Sequence, residues 1–326
     1  MIDKMNVENI NPGIIFGPVP SRRLGRSMGI NNIPLKTCSY SCIYCQIGNT
    51  NILSTKRKEF YEPERIFNEV SEKVICLKNV NEKIDYITFV ADGEPTLDIN
   101  IGKSIEILKP IGVNIAVITN SSLLWDKDVR NDLMKADLVS VKIDTGIPEI
   151  WHKLNRPHGY LKLETIIDGI KEFADVFKGK LITETMLVKD INDSVVELTQ
   201  TAKIIKRINP EISYILVPTR PPAESFAGVP EEEDINVAFQ IFNDELGKVE
   251  LAITNEGTDF SFLLNSEKEL LGILAVHPMR YDAVEEFLKK SNMGWNVINK
   301  LVNQGILTKI KYENNYFVMK RTKNLL

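Results

Sequence analysis

The sequence contains no apolar run long enough to cross a bilayer, and its first residues, MIDKMNVENINPG, lack the apolar core of a signal peptide. Hydrophobic residues nevertheless make up 43% of the 326 residues, which is enough for a buried core. A chain of this length forms one large domain plus a small one, or two of medium size. We therefore expect a soluble cytoplasmic protein with no membrane partner.

Acidic residues are absent from positions 9 to 58, although the whole chain has a net charge of −4 and a pI near 5.7. That segment holds seven basic residues: Arg22, Arg23, Arg26, Lys36, Lys56, Arg57 and Lys58. Residues 289–326 hold eight Lys or Arg against one acid, Glu313. The overall acidity argues against attraction of nucleic acid to the whole surface, whereas the two basic segments are suited to anionic ligands.

Cysteine is also scarce, and three of the four cysteines lie in one stretch, CSYSCIYC, at positions 38–45. Four cysteines in a cytoplasmic chain of this length do not form a disulfide framework. Zinc, an iron–sulfur cluster and chance all remain as explanations. A closed zinc site needs a fourth ligand, which would have to be Cys76 or a histidine. A four-iron cluster can instead be held by three cysteines, which leaves its fourth iron open for a ligand.

Helical and strand patterns alternate along most of the chain. The spacing of apolar residues predicts helices at 63–79, 101–112, 126–136, 160–178, 194–209 and 231–247. Short β-rich runs predict strands at 85–93, 114–120, 137–144, 180–188, 211–219 and 249–254. This alternation indicates βα units and a parallel sheet, with too few units for a closed eight-stranded barrel. The predicted fold class is α/β, a partial (β/α)6 open barrel.

Polar and turn-forming residues lie at the ends of successive predicted strands. They are Gly93, Glu94 and Pro95; Thr119, Asn120 and Ser121; and Lys142 and Asp144, while Glu184 lies inside the following predicted strand. Ligands bind at the carboxyl ends of parallel strands, so we expect these residues to form one site. Two proline-stiffened segments carry residues that we expect to bind substrate, namely Arg22, Arg23, Arg220 and Glu224.

The spacing of Cys38, Cys42 and Cys45, with Tyr44 before the last cysteine, resembles the signature of the radical S-adenosylmethionine superfamily. Longer stretches, GPVPSRRLGRSMGIN, IPLKTCSYSCIYCQIGNT, TMLVKDIND and PTRPPAE, resemble one branch of it over about residues 13–255. That branch contains iron–sulfur oxidoreductases related to the tRNA wyosine-base synthases. The resemblance implies a [4Fe–4S] cluster on the three cysteines, whose open iron chelates S-adenosylmethionine. Reductive cleavage then gives methionine and a 5′-deoxyadenosyl radical, which abstracts hydrogen from a substrate.

The resemblance also implies roles for the strand-end residues and for Tyr44, which we expect to bind the cofactor. Residues 93–95 match a Gly-Gly-Glu-Pro-like motif that contacts the amino group of S-adenosylmethionine, with Asp92 where that motif has its first Gly. Residues 119–121 correspond to groups near the ribose and carboxylate. Wyosine synthase has a second three-cysteine cluster, which this chain cannot build from Cys76 alone. A reductant such as ferredoxin or flavodoxin is a further expected partner.

The last 60 residues have a different pattern. Apolar spacing predicts helices at 266–276, 280–290 and 294–304, followed by a β-hairpin from ILTKIKY and YFVMKR. Three helices and a hairpin resemble a winged helix, so we expect a barrel domain with an N-terminal extension at 1–258 and a winged-helix-like domain at 259–326. The local basic excess favours phosphate contact, but the outward positions of the third helix hold one charge. Nucleic-acid binding and protein contact or internal packing both stay open.

Two classes of function follow from these patterns. The first is a radical S-adenosylmethionine oxidoreductase or transferase that acts on a modified tRNA base or on a peptide or protein side chain. The second is a zinc- or iron–sulfur-dependent regulator that binds DNA through the C-terminal winged helix. The predicted barrel argues against the regulator, because regulators rarely need several strand ends lined with polar groups.

Overall fold

The computed structural model describes residues 14–34, 36–253 and 266–321. Within these ranges the strands are β1 Ile15–Ser21, β2 Gly25–Ile30, β3 Thr37–Cys38, β4 Ile52–Leu53, β5 Tyr86–Phe89, β6 Asn114–Thr119, β7 Leu138–Lys142, β8 Lys180–Met186, β9 Ile212–Leu216, β10 Val249–Ala252, β11 Met279–Arg280, β12 Leu307–Tyr312 and β13 Asn315–Lys320. The helices are α1 Pro63–Asn79, α2 Ile101–Leu108, α3 Lys127–Leu133, α4 Pro148–Asn155, α5 Leu163–Val176, α6 Val195–Ile208, α7 Glu232–Leu246, α8 Ser266–Val276, α9 Tyr281–Lys290 and α10 Trp295–Asn303. Over the same ranges, no helix combines the length and the apolar character that crossing a bilayer demands.

The main sheet is an eight-stranded curled half-barrel with the order β1-β2-β5-β6-β7-β8-β9-β10. The strands from β2 to β10 in this order are parallel, whereas β1 is antiparallel to β2. The six predicted strands are confirmed as β5 to β10. The β1–β2 hairpin adds two strands that the sequence pattern did not predict, so the parallel part has seven strands.

The outer face of the parallel sheet is apolar, whereas its inner face carries both apolar and polar residues. Helices cover its outer face, where Ile87, Val117, Val139 and Ile215 have no exposed surface. A smaller apolar cluster lines the inner face and includes Leu24 from the β1–β2 turn. Burial of each such aliphatic side chain contributes about 1.5–3 kcal/mol, so these two faces fix the curvature and the register of the sheet.

Side-chain caps set the starts of two of the surrounding helices. The Asp126 side chain accepts from the N–H of Asp128 at the start of α3, and Ser194 accepts from the N–H of Glu197 at the start of α6. Each cap satisfies one of the backbone donors that a helix start leaves unpaired. At the other end of a unit, Gly247 stops α7 in the left-handed region at φ 73°.

The C-terminal elements run in the order α8, β11, α9, α10, β12, β13, with a three-stranded sheet β11-β13-β12. The three predicted helices and the hairpin are present. Phe16 and Val19 of β1 pack into the apolar core of this unit, so it is docked against the edge of the main sheet. The predicted domain boundary at 258/259 lies outside the described residues, and the winged-helix assignment stays a prediction.

Candidate active site

Of the three motif cysteines, Cys38 ends β3 and the other two lie on the loop that leads from β3 to β4, together forming the cysteine loop; each sulfur has its own nitrogen donor. The pairs are Lys36 Nζ to Cys45 Sγ at 2.7 Å, Asn120 Nδ2 to Cys38 Sγ at 3.5 Å, and Asn155 Nδ2 to Cys42 Sγ at 3.5 Å. Donors of this kind stabilise a thiolate, which is the form of cysteine that binds metals. The loop therefore presents three sulfurs in an environment that favours ligation.

The thiols and their arrangement fit a four-iron cluster. Burial raises the pKa of Cys38 to about 12 and that of Cys42 to about 11, although Lys36 opposes the shift at Cys38 and the Tyr44 and Asn155 donors oppose it at Cys42. In the described ranges, no three His, Cys, Asp or Glu side chains already converge on one point as ligands of a single ion do. A four-iron cluster does not require such convergence, because each cysteine binds a different iron. The spread of the three sulfurs is therefore compatible with it.

Gly93 brings the end of β5 against the cysteine loop. Thr37 forms a parallel bridge with Gly93, and the N–H of Glu94 donates to the Thr37 carbonyl at 3.1 Å. A Cβ atom on Gly93 would lie 1.8 Å from that carbonyl oxygen, and the φ angle is +153°, which side chains rarely adopt. Glycine is thus required for this approach, which holds Thr37, and with it the following residue Cys38, against the end of β5.

Glu94 joins the ends of β5 and β6. Its carboxylate accepts from Thr96 N at 3.0 Å, Thr96 Oγ1 at 2.6 Å, Thr119 Oγ1 at 2.6 Å and Asn120 N at 2.7 Å. Burial raises the pKa of Glu94 even though these donors oppose the shift. Pro95 begins a 3-10 turn immediately afterwards. The predicted residues of both strand ends are therefore brought together, and Asn120 is held beside Cys38.

A second group of predicted residues meets at the ends of β6 and β7. The backbone N–H of Lys142 donates to Ser121 Oγ at 2.7 Å. Buried Asp144 accepts from the hydroxyl of Tyr44 and from Asn155 Nδ2 at 2.7 Å. The Lys142 ammonium lies 3.7 Å from Asp144 Oδ1 and 5.2 Å from the centre of the Tyr44 ring. Tyr44 thus fixes the cysteine loop to the end of β7.

Glu184 lies deeper, on the inner face of the half-barrel. It is 5% exposed and forms an ion pair with Arg23, and the Ser140 hydroxyl also donates to it. Burial alone would raise the pKa of Glu184, but Arg23 and Lys142 outweigh burial and lower it. Arg22 and Arg23 lie in the β1–β2 turn, at the amino end of the parallel strands. The structure therefore pairs Arg23 with Glu184 on the inner face.

Arg220 and Glu224 contact the cysteine loop and its surroundings. Arg220 Nη1 donates to Gln46 Oε1 at 2.8 Å, and Arg220 Nη2 lies 3.0 Å from His277 Nε2. Glu224 forms an ion pair with Arg156 at 2.5 Å, and its N–H donates to the carbonyl of Ile43 at 2.9 Å. Gln46 also donates to the Val276 carbonyl at 3.2 Å. The 218–224 segment and the C-terminal unit therefore meet beside the residue that follows Cys45.

Comparison with known families identifies the chain, since the model of the radical SAM superfamily matches residues 32–202. The chain belongs to this superfamily, whose members are enzymes that use a [4Fe–4S] cluster and S-adenosylmethionine. The matched segment includes the cysteine loop and the ends of strands β5 to β8.

Individual proteins agree with this assignment. A UPF0026 protein of Methanocaldococcus jannaschii is 48% identical over 95% of this chain and 97% of its own length. A UPF0026 protein of Synechocystis is 35% identical over 64% of this chain and 76% of its own length. Among solved structures, TYW1 with a lysine-pyruvate adduct matches with a TM-score of 0.52 at 15% identity, over 67% of this chain and 73% of that one. A radical SAM methyltransferase from Sphaerobacter thermophilus matches with a TM-score of 0.54 at 14% identity, over 70% of this chain and 67% of that one.

The sequence pattern did not predict three residues that touch the cysteines or their partners. Lys36 and Asn155 donate to sulfurs, and Ser39 Oγ accepts from Asn120 Nδ2 at 2.9 Å. Ser39 lies inside the cysteine motif and Lys36 two residues before it, so their position in the sequence was a usable signal. Asn155 had none, because it reaches Cys42 only after α4 folds back over the loop.

Proposed function

We propose that this protein is a radical S-adenosylmethionine enzyme whose [4Fe–4S] cluster is held by Cys38, Cys42 and Cys45. When bound, the cluster and S-adenosylmethionine supply a 5′-deoxyadenosyl radical that abstracts hydrogen from a substrate. The observation that carries the proposal is the set of three sulfurs, each with its own nitrogen donor, beside buried polar strand ends. Such donors stabilise the ligating thiolates and hold them in place.

The strand-end residues are proposed to hold S-adenosylmethionine. Because Gly93 has no side chain, its backbone lies close to the cysteine loop, in space that a Cβ atom would fill. Glu94 orients Asn120 through its N–H, and Tyr44 and Asp144 hold the loop against β7. Pro95, Thr119, Ser121, Lys142 and Glu184 complete the proposed set. Because most of these side chains are buried, the same residues exclude water from the reaction.

Substrate is proposed to enter beside the 218–224 segment, where Arg220 and Glu224 lie next to the cysteine loop. Arg22 and Arg23 are less suited to this role, because Arg23 is already paired with buried Glu184. A modified tRNA base and a peptide or protein side chain are the two proposed substrate classes. The electron is proposed to come from a small reductant such as ferredoxin or flavodoxin. We propose the cytoplasm as the location.

The C-terminal unit is proposed to be a separate winged-helix-like domain, with the barrel ending near residue 258. Its contacts with Gln46 and Arg220 favour a packing role over free binding of DNA. These contacts hold the loop that follows Cys45, so the unit closes one side of the proposed substrate entrance. This arrangement favours the enzyme over the DNA-binding regulator.

The proposal is tested by anaerobic reconstitution with iron and sulfide, reduction with dithionite and addition of S-adenosylmethionine. Formation of 5′-deoxyadenosine, measured by chromatography, is the expected result, and Cys42→Ala is expected to abolish it. Full iron content without any nucleoside would contradict the radical chemistry. Retention of one zinc and no iron would contradict the cluster and favour the regulator.

A further inference from the structure

Lys36 is held inside the protein beside the cysteine motif. Lys36 is only 5% exposed, and a lysine ammonium is seldom buried without a partner. Its backbone lies in the left-handed region at φ 51°. The Lys36 carbonyl accepts from Asn51 N at 3.1 Å and Ile52 N at 3.4 Å, and its N–H donates to the carboxylate of Asp92. The backbone of Lys36 is therefore fixed from two sides.

The ammonium group has a defined target. Lys36 Nζ lies 2.7 Å from Cys45 Sγ, the shortest of the three donor contacts to the cysteine sulfurs. The donors to Cys38 and Cys42 are neutral amides, so Lys36 is the one cation in this set. Asp92 supplies a nearby negative charge, and its buried Oδ1 has no hydrogen-bond partner among the described residues.

We propose that Lys36 is a positioning residue that raises the reduction potential of the cluster by donating a charged hydrogen bond to the Cys45 sulfur. The inference rests on the proposed cluster site. Reduction adds one electron from an external one-electron donor and places more negative charge on the sulfurs, with no bond broken. A fixed cation 2.7 Å from one sulfur stabilises that added charge. Hydrogen bonds to cluster sulfurs and net charge are two of the features that set such potentials.

Asp92 acts in the opposite direction. Burial raises its pKa to about 6, so its carboxylate is ionised at pH 8 and offsets part of the positive charge of Lys36. Lys36 and Asp92 together therefore place a smaller net positive charge beside Cys45 than Lys36 would by itself. Asp92 occupies the position where the Gly-Gly-Glu-Pro-like motif has its first Gly, so this balance belongs to the present chain and not to the motif.

The test is an anaerobic redox titration at pH 8, with the reduced cluster followed by electron paramagnetic resonance and without S-adenosylmethionine. We expect Lys36→Met to shift the midpoint to a lower potential and Lys36→Arg to keep it near the wild-type value. The matched control is Lys56→Met, which removes an exposed lysine from the same basic segment and is expected to cause no shift. Asp92→Asn is expected to shift the midpoint upward.

Several outcomes would overturn the inference. An unchanged midpoint in Lys36→Met with full iron content would do so. If Lys36→Met fails to hold a cluster, Lys36→Gln is titrated in its place, with the same downward shift expected. Loss of the cluster in both neutral variants, with Lys36→Arg intact, would assign Lys36 to cluster assembly and not to its potential. If the wild-type protein binds no iron, the proposed function itself fails, and this inference fails with it.

Discussion

The half-barrel and the C-terminal unit differ in what they bury. Among the described residues, every buried polar or charged residue lies between positions 27 and 213, and residues 266–321 contribute none. The C-terminal unit has an apolar core of ordinary composition, including Phe287, Ile298 and Leu301. Buried polar groups are costly unless they are paired, so a protein retains them mainly where they serve a site. The comparison assigns the chemistry to the half-barrel.

The two regions nevertheless meet beside the proposed active site. Gln46, which follows Cys45, contacts the Val276 carbonyl, and Tyr312 donates to the Pro218 carbonyl at 3.0 Å. In each of these contacts one neutral side chain donates to a backbone carbonyl of the other region. Changes in the half-barrel should therefore have large effects on the cofactors and on stability, and changes at the contact between the regions should have small ones.

The largest effect is expected from loss of one motif cysteine. Cys42→Ala removes one of the three proposed ligands, so we expect loss of the cluster and no detectable 5′-deoxyadenosine. Iron analysis and chromatography measure the two quantities. Cys76→Ala, in α1, is the matched control and should leave both unchanged, with the free energy of unfolding within about 0.5 kcal/mol of wild type. Equal loss in both variants would contradict the assignment of the ligands.

The next largest effect is expected at Gly93. Gly93→Ala places a Cβ 1.8 Å from the Thr37 carbonyl oxygen, and backbone cannot move away as a flexible side chain can. We expect a loss of about 4 kcal/mol in the free energy of unfolding, from strain and overpacking together. Gly112→Ala is the control, because its φ is +76° but no atom lies within 4 Å, and it should cost about 1 kcal/mol. Urea unfolding that gives equal losses would refute the close approach.

Arg23→Met tests the buried ion pair with Glu184. Removing the cation leaves a buried carboxylate, so we expect a loss of about 3 kcal/mol at pH 7, and Arg23→Met with Glu184→Gln should recover most of it. Arg23 lowers the pKa of Glu184 in the folded protein. The ion pair therefore stabilises the fold at pH values above the ordinary glutamate pKa, and this stabilisation is lost as the pH falls through the lowered pKa of Glu184. The difference between wild type and Arg23→Met should therefore shrink in acid. A constant difference between pH 7 and acid would contradict the pairing.

The smallest effect is expected at the contact between the two regions. Tyr312→Phe removes the hydroxyl that donates to Pro218, a single neutral hydrogen bond worth about 1 kcal/mol. Iron content should stay at the wild-type value, because the residue touches no cysteine. Loss of the cluster in this variant would show that the C-terminal unit takes a direct part in the cofactor site, against the division between the two regions.

The predictability of the fold depended on local pattern. Strands β5 to β10 and the helices between them have strong periodicity, and their predicted positions agree with the structure within a few residues. The β1–β2 hairpin was missed because GPVPSRR reads as a rigid loop, with prolines that argue against a strand. Its place at the edge of the sheet tolerates them. Helix α4 was missed because it has eight residues and lies between two loops.

The predictability of the site followed the same division. The grouping of Cys38, Cys42 and Cys45 could be predicted because their spacing is local in sequence, and their role as ligands stays a prediction. That Glu94 and Asn120 lie together could be predicted because parallel strands end at one edge. The pairing of Arg23 with Glu184 could not, since it joins residues far apart in sequence through the turn that fills the inner face of the sheet. Partners that depend on how one element folds over another leave no local signal.

The proposed radical S-adenosylmethionine chemistry is tested most directly by the electron paramagnetic resonance spectrum of the reduced cluster, recorded with and without S-adenosylmethionine. The three proposed cysteine ligands leave one iron of a four-iron cluster open, so we expect about four irons per chain and a change in the electron paramagnetic resonance spectrum when S-adenosylmethionine is added. A four-iron protein whose spectrum does not change would have a closed cluster, which would contradict the radical S-adenosylmethionine chemistry proposed for this site.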